Sequence, residues 1–476
     1  MNTRLVFNFL GRILIFFSLM LLLPIAVSIY FQESYYPFIL AMVFSLTIGA
    51  ILYFFKPKNE ILRYKEAFAI VALGWLSVSI IGCIPYLVIG VNFIDSFFES
   101  MSGFTTTGAS IFDKPEDLPK SILFWRALTQ WLGGMGIIVL FVAVLPSVAR
   151  KGAALFQAEY PGVELERIKP RLRDTALILY SIYLLFTISE FSLLYMLGLT
   201  PFDAITHTFT TLSTGGFSTH SESIAYFKNP AVEAVIAIFA AIGGMNFAIH
   251  YHLLRGEWRY LRDMELKVYI FILLLATIIL AILNLEKFGI LESLRYSTFQ
   301  AISIMTTTGY TTYDFDKWND GARLILLILM FIGGCSGSTG GGMKITRIYI
   351  LTKYSILQVF KAAEPRIART IKYGDIVIKK DMVDDVVAFF ILYITIFIFS
   401  TLFITTSGFD IITSASAVAA NIGNVGPALG LAGASETYSA FPLYVKLILI
   451  MDMWIGRLEI FTVLSLFVPS FWREKW

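Results

Sequence analysis

Four phrases rich in hydroxyl residues and glycine recur along the chain: TTTGAS at 105–110, STGGFST at 213–219, TTTGYTT at 306–312 and NIGNVGPALG at 421–430. Residues of this kind can strip and hold a cation. Backbone carbonyl oxygens set around an ion replace its hydration shell. Glycine permits the dihedrals that turn those carbonyls inward and lets neighbouring backbones approach closely. Aligned on Gly108, Gly216, Gly309 and Gly423, the phrases are 108, 93 and 114 residues apart, close to one constant repeat. The candidate ion-binding residues are Thr106, Thr107 and Gly108; Thr214, Gly215 and Gly216; Thr307, Thr308 and Gly309; and Asn421, Ile422 and Gly423. No ring of carboxylates accompanies the glycines, which argues against calcium. Carbonyls with small polar neighbours suit a large, weakly hydrated monovalent ion, so potassium is the expected cargo.

Other columns keep the same register. Asp95, Asp203, Tyr296 and Asp410 stand thirteen residues before the glycines, and Glu99, His207, Gln300 and Ser414 stand nine before. Three of the first set are aspartates suited to cap a helix. A second glycine motif follows each phrase: Gly133-Gly134-Met135, Gly243-Gly244-Met245, Gly333-Gly334-Cys335 and Ile455-Gly456-Arg457. Each repeat therefore reads as span, short helix, glycine phrase, span. The short helices cannot cross a bilayer, which needs about 20 residues. They are expected to dip in and return as extended chain, which is tolerated at membrane depth only when buried in protein or lining a watery path.

The composition agrees. Of 476 residues, 57% are hydrophobic and 15% charged, and the mean hydropathy is +0.74. The expected fold is an all-α polytopic membrane protein with two leading transmembrane helices and four span–re-entrant helix–span repeats around a pseudo-fourfold pore. Spans are expected near 10–31, 36–55, 66–90, 121–148, 174–198, 230–254, 267–285, 321–352, 386–407 and 441–468. The leading pair takes residues 1–62, and the repeats take 63–150, 151–258, 259–358 and 359–476. The first run is long and more spans follow it, so it reads as a retained helix rather than a signal peptide. Basic residues concentrate in alternate connections, at 56–65, 150–173, 255–267 and 353–380, which places those connections and both termini in the cytoplasm. These loops can meet anionic lipid or a cytosolic partner; nucleic acid is not an expected partner.

Residues 333–342 read GGCSGSTGGG, and six glycines in ten positions cannot hold a regular helix. The second span of the third repeat is expected to break there and leave a gating loop. Its candidate residues are Gly337, Ser338, Thr339, Gly340, Gly341, Gly342 and Lys344. Arg457, deep in the last span, is a costly charge and reads as a functional one; the repeat alignment sets it beside Met135, Met245 and Cys335. Gly334-Cys335-Ser336-Gly337 also fits the GxSG of intramembrane serine proteases, but no histidine is well placed as base, and a protease does not explain the repeats. Met343 interrupts a would-be phosphate loop, and no strand precedes it.

Together STGGFSTH at 213–220, TTTGYTT at 306–312, GGCSGSTGGGMK at 333–344, NIGNVGPALG at 421–430 and WIGRLEIFT at 454–462 resemble the Trk/Ktr/HKT superfamily of potassium transport proteins. The two leading spans resemble its TrkH branch rather than the shorter KtrB branch. The resemblance implies that Gly108, Gly216, Gly309 and Gly423 are the filter glycines. Serine at the first position goes with sodium preference in plant relatives, so Gly108 favours potassium. It further implies no enzymatic activity, a homodimer with one pore per protomer, a cytosolic nucleotide-binding ring of TrkA type, no nucleotide on this chain, and residence in the bacterial inner membrane. An ion-coupled symporter is the rival expectation, with Glu99, Glu190 and Glu459 as its candidate protonatable residues.

Overall fold

The computed structural model describes residues 1–57, 62–136, 172–365, 370–374 and 376–473. Part of the expected 121–148 span and most of the basic 150–173 connection lie outside them. The described chain is almost wholly helical; its strands are Lys372–Tyr373 and Ile376–Val377, paired antiparallel.

Among the described residues six helices are long and apolar enough to cross a membrane: Thr3–Tyr30, Tyr36–Tyr53, Tyr64–Val88, Asp174–Met196, Met264–Leu283 and Lys380–Thr406. This is a multi-pass membrane protein. Ten spans are expected from the sequence; that at 121–148 lies partly outside the described residues, and the other three closing spans are broken. Pro230–Gly243 and Phe247–Leu254 meet at 102°. Asp320–Ile332 and Ile345–Ala363 are separated by the glycine-rich stretch, and Leu443–Arg457 gives way to Phe461–Leu464. The interruption expected in the third repeat alone therefore recurs in the second and fourth. Local geometry marks both added breaks. Asn246 caps a new helix by accepting from the Ala248 N–H at 2.9 Å, while Glu459 and Ile460 take φ of +56° and +47°, outside the helical well.

The two leading helices pack where small residues allow close approach. A Cβ on Gly11 would stand 2.5 Å from the Tyr53 nitrogen and 2.6 Å from the Gly49 oxygen. Ser45 donates to the Leu14 carbonyl at 2.7 Å, and Asn8 to that of Tyr53 at 2.6 Å. This pair then abuts the first repeat through Phe17 on Phe104 and Phe38 on Trp125. Glu33, after the first span, accepts from the N–H groups of Lys120 and Ser121 at 2.7 and 2.8 Å, an anion on a helix N-terminus.

Three short helices are each twelve residues long: Phe93–Phe104, Pro201–Leu212 and Ile411–Ile422. The fourth is continuous with a preceding segment in Leu285–Met305, broken at Gly289 with φ +73°. Their caps correct one expectation. Asn92 and Thr200 are the caps, accepting from the N–H groups of Asp95 and Asp203, which lie three residues inside their helices; Asp410 is itself a cap. Three closing helices press on the end of a short one. A Cβ on Gly133 would lie 1.9 Å from the Phe104 oxygen, on Gly456 2.0 Å from that of Ile422, and on Gly243 2.9 Å from that of Leu212.

Gly133→Ala and Gly456→Ala should each destabilise the protein by about 1–3 kcal/mol, the usual cost of forcing atoms into a packed site. Thermal melts in detergent should show lowered midpoints for both. Gly321→Ala, whose nearest atom would be a side-chain oxygen at 3.3 Å, should melt like the native chain.

Candidate functional site

After each short helix the backbone runs through one repeated set of dihedrals. Thr106, Thr214, Thr307 and Asn424 are left-handed, at φ +54°, +53°, +63° and +55°. Two residues later Gly108, Gly216, Gly309 and Gly426 are left-handed, at φ +83°, +74°, +79° and +97°. Between them the N–H groups of Thr107, Gly215, Thr308 and Val425 reach back to the carbonyls of Ser102, Thr210, Ser303 and Ala420 at 2.7–2.9 Å. The register expected from sequence is thus three residues off in the last phrase. Gly423 caps its helix with φ −80°, as Thr105, Ser213 and Thr306 cap theirs, and Asn421 and Ile422 are the last helical residues. The backbone equivalents of Thr106, Thr107 and Gly108 are Asn424, Val425 and Gly426. Ala417, not Ser414, then stands level with Glu99, His207 and Gln300. NIGNVGP holds two glycines three apart, and the spacing alone did not choose between them. Counting twelve helical residues from the Asp410 cap does.

These four strands form a closed ring. A Cβ built on Gly108 would lie 2.1 Å from the Gly215 carbonyl oxygen; on Gly216, 1.8 Å from that of Thr308; on Gly309, 2.0 Å from that of Val425; on Gly426, 2.6 Å from that of Thr107. Each glycine abuts the carbonyl of the next strand, and the last abuts the first. Thr106, Thr107, Thr214, Thr307, Thr308, Asn421, Ile422 and Asn424 are fully buried. Asn424 donates to the Thr107 hydroxyl and the Met453 carbonyl, both at 3.0 Å, tying the fourth strand to the first. Gly108, Gly216, Gly309 and Gly426 together floor an open vestibule walled by residues such as Asp113, Ser221 and Glu436.

Behind the ring sits a charged brace. Arg126 is 3% exposed and Glu99 0%, and their Nε–Oε1 distance is 2.7 Å. The Arg126 guanidinium also donates to the Ser218 carbonyl at 3.1 Å and the Ser110 hydroxyl at 3.0 Å, and lies over the rings of Phe217 and Phe112. Glu99 accepts from the Ile111 N–H at 2.9 Å. The pair therefore fixes the strands leaving the first two glycines. His207 meets Ser218 at 3.1 Å and Gln300 donates to the Tyr310 carbonyl at 3.3 Å, in equivalent places. Sequence reading picked Glu99 and His207 but passed over Arg126. A lone arginine inside an apolar span was the available signal.

On the side of the ring away from the vestibule lies the broken third span. The Thr339 hydroxyl donates to the carbonyls of Leu212 at 3.1 Å and Gly243 at 3.0 Å. The Gly341 N–H donates to the Thr307 hydroxyl at 2.7 Å, and a Cβ there would lie 2.3 Å from the Gly423 oxygen. The Gly337 carbonyl accepts from Phe247 at 3.1 Å, and Ser338 accepts from Gly340 at 3.3 Å. Gly342 takes φ +73° and packs on Gly333. Lys344, buried, folds back onto the Gly340 carbonyl. Arg457 donates to the Thr339 carbonyl at 2.7 Å and to those of Gly133 and Gly134 at 2.8 and 2.9 Å. Counting from the start of each closing helix, Arg457 stands level with Gly134 and Gly244, one residue from the expected Met135 and Met245. Glu459 pairs with Arg347, not with Arg457. The Ser336 hydroxyl bonds Thr346 at 3.2 Å, while His207 and His250 bond elsewhere, at Ser218 and the Ile242 carbonyl; none of these contacts joins a histidine to Ser336.

A multi-pass helical membrane protein whose re-entrant segments close a ring of glycines and carbonyls, with a glycine-rich break beneath, has the build of an ion-translocating protein. The chain belongs to the TrkH family of cation transport proteins, which it matches over residues 36–474. It is 36% identical over 490 residues to the Trk system potassium uptake protein TrkH of Halomonas elongata, and 37% identical over 487 residues to that of Escherichia coli (strain K12), with 100% of each chain covered in both cases. The crystal structure of the potassium transporter TrkH from Vibrio parahaemolyticus superposes with a TM-score of 0.90 at 36% identity, covering 99% of this chain and 100% of that one.

Removing one partner of a buried ion pair leaves an uncompensated charge and costs roughly 3–5 kcal/mol. Arg126→Met should therefore lower the thermal midpoint strongly. Arg126→Met with Glu99→Gln should recover part of the loss, measured in the same detergent melt.

Proposed function

We propose that this chain carries potassium into a bacterial cell through a channel-like path along the axis of the glycine ring. The observation that supports this most is the ring itself. Four backbones meet so closely that each glycine leaves no room for a side chain, which brings carbonyl oxygens of four strands to one place. The filter in this reading is Thr106–Gly108, Thr214–Gly216, Thr307–Gly309 and Asn424–Gly426, within four repeats divided near residues 150, 258 and 358. Each short helix directs its partly negative C-terminal end at the ring, which favours a cation. The vestibule faces outside and both termini face the cytoplasm of the inner membrane. The 333–344 segment is the gate. Arg457 holds it across the path and adds a positive barrier to cations. The protomer pairs with a second copy, and a cytosolic nucleotide-binding ring of TrkA type acts on the gate.

A coupled symporter is the second reading, and one observation favours it. Glu99 and Glu459 are each ion-paired by arginine, but Glu190 is fully buried in a membrane helix, and among the described residues no arginine or lysine pairs it; the Thr211 hydroxyl is the polar group beside it. Burying a carboxyl group without a charged partner is costly.

Liposomes containing this chain alone separate the two readings. With potassium, sodium and proton gradients set independently, potassium should run down its own gradient at any imposed pH difference. Flux that requires a proton or sodium gradient, and loses that requirement in Glu190→Gln, would replace the channel by the symporter. Arg457→Ala should raise potassium flux several-fold in the same assay; unchanged flux in a folded variant would remove Arg457 from the gate.

A further inference from the structure

The four strands of the ring differ at one position. Between the left-handed residue and the glycine stand Thr107, Thr308 and Val425 in three strands, and Gly215 in the second. Gly215 has no left-handed φ, so its backbone does not require glycine. What requires it is a neighbour. A Cβ on Gly215 would lie 2.4, 2.6 and 2.8 Å from the carboxamide atoms of Gln130, the three nearest atoms to it. Gln130 comes from the closing helix of the first repeat, Lys120–Gly134, and is fully buried. Its amide nitrogen donates to the Gly215 carbonyl at 2.7 Å, and its amide oxygen accepts from the Phe217 N–H at 3.0 Å. The carboxamide thus clamps the strand on both sides of Gly216.

Gln130 is also singular in its own column. It is the eleventh residue of its helix. The eleventh residues of Pro230–Gly243, Asp320–Ile332 and Leu443–Arg457 are Ala240, Met330 and Met453. The one strand with a glycine in place of a side chain faces the one closing helix that offers an amide. We propose that Gln130 is a positioning residue that determines ion selectivity, by holding the Gly215–Gly216 peptide in place and filling the volume that a side chain fills in the other strands. This rests on the glycine ring being the filter.

The physical need follows from that reading. Selectivity between potassium and sodium depends on the number, field and placement of the coordinating oxygens. Successive glycines make the softest backbone in the ring, because neither has a side chain to restrict its dihedrals. An unrestrained Gly215–Gly216 peptide can rotate its carbonyl to suit a smaller ion. Two hydrogen bonds to one rigid amide plane remove that freedom.

The test is the potassium-to-sodium permeability ratio, from reversal potentials of the full-length protein in bilayers or liposomes. Gln130→Met installs the residue found at the level position of two other repeats and removes both hydrogen bonds. The ratio should fall at least tenfold while total cation flux persists. Gly215→Thr alone should abolish folded protein or flux, because its side chain collides with Gln130. Gln130→Ala with Gly215→Thr installs the threonine of the first and third strands and the alanine found at the level position of the second closing helix, and should restore the ratio to within about twofold of the native value. A role in stability alone would not make a second substitution in the filter strand rescue selectivity. Gly216→Ala is the control for the underlying reading. If it alters the ratio and folded Gln130→Met does not, the assignment of Gln130 is overturned while the filter stands. If neither alters it, the filter reading falls too. If Gln130→Met does not fold, the double variant decides, a near-native ratio supporting the assignment and a lost one overturning it.

Discussion

The constraint on which the rest of this structure depends is the approach of four backbones to within contact at the glycine ring. A single methyl group on Gly108, Gly216, Gly309 or Gly426 would fall 1.8–2.6 Å from a carbonyl oxygen of the adjacent strand. Nothing in a strand alone favours that crowding, so it has to be imposed from behind. Twelve-residue helices deliver the strands at a common depth, and the i→i−5 bonds that follow fix the angle at which each leaves. The closing helices hold the helix ends through Gly133, Gly243 and Gly456. Arg126 with Glu99, His207, Gln300 and Gln130 then pin the strands from the side. Extended chain in a membrane must have its polar groups met by protein or water, and these side chains meet much of that need.

Departures from the shared plan are concentrated in a few places. Repeat three interrupts its closing span with a glycine-rich segment whose hydrogen bonds reach the second and third short-helix units, while Arg457 links it to the first and fourth. Arg457 itself stands at the level of Gly134 and Gly244, where a Cβ would fall 2.7 Å from Ser213 and 2.8 Å from Thr306, so the fourth repeat carries a guanidinium where two others admit only glycine. The segment's contacts are mostly single hydrogen bonds from backbone or short side chains.

Charges inside the apolar body follow one rule. Arg126 and Glu99, Arg347 and Glu459, and Lys446 and Asp95 are matched across different elements, and Arg457 is met by carbonyls. A charge at membrane depth is costly unless it is paired or solvated, so each of these links marks a place where tertiary contact was necessary. Glu190 and Asp452 depart from the rule: among the described residues no arginine or lysine pairs either, and their polar neighbours are the hydroxyls of Thr211 and Ser400.

The sequence by itself determined a great deal. Hydropathy set the membrane class, because a chain with so few charges cannot be solvated over its length. The hydroxyl–glycine phrases set the repeat and the first three glycines of the ring, because the same backbone demand recurs and glycine alone meets it. The six glycines at 333–342 set the break in the third span. Tertiary structure decided what spacing left degenerate. It placed Gly426 in the ring and Gly423 at the helix cap, since a three-residue shift changes nothing in composition but everything in which carbonyl a glycine faces. It broke the second and fourth closing spans, whose Gly244-Met245-Asn246 and Leu458-Glu459-Ile460 carry no excess of helix-breaking residues. It joined Arg126 to Glu99 and Gln130 to Gly215, pairs separated by 27 and 85 residues. Such pairings belong to the packing of one element on another, and a linear pattern holds no record of which faces will meet.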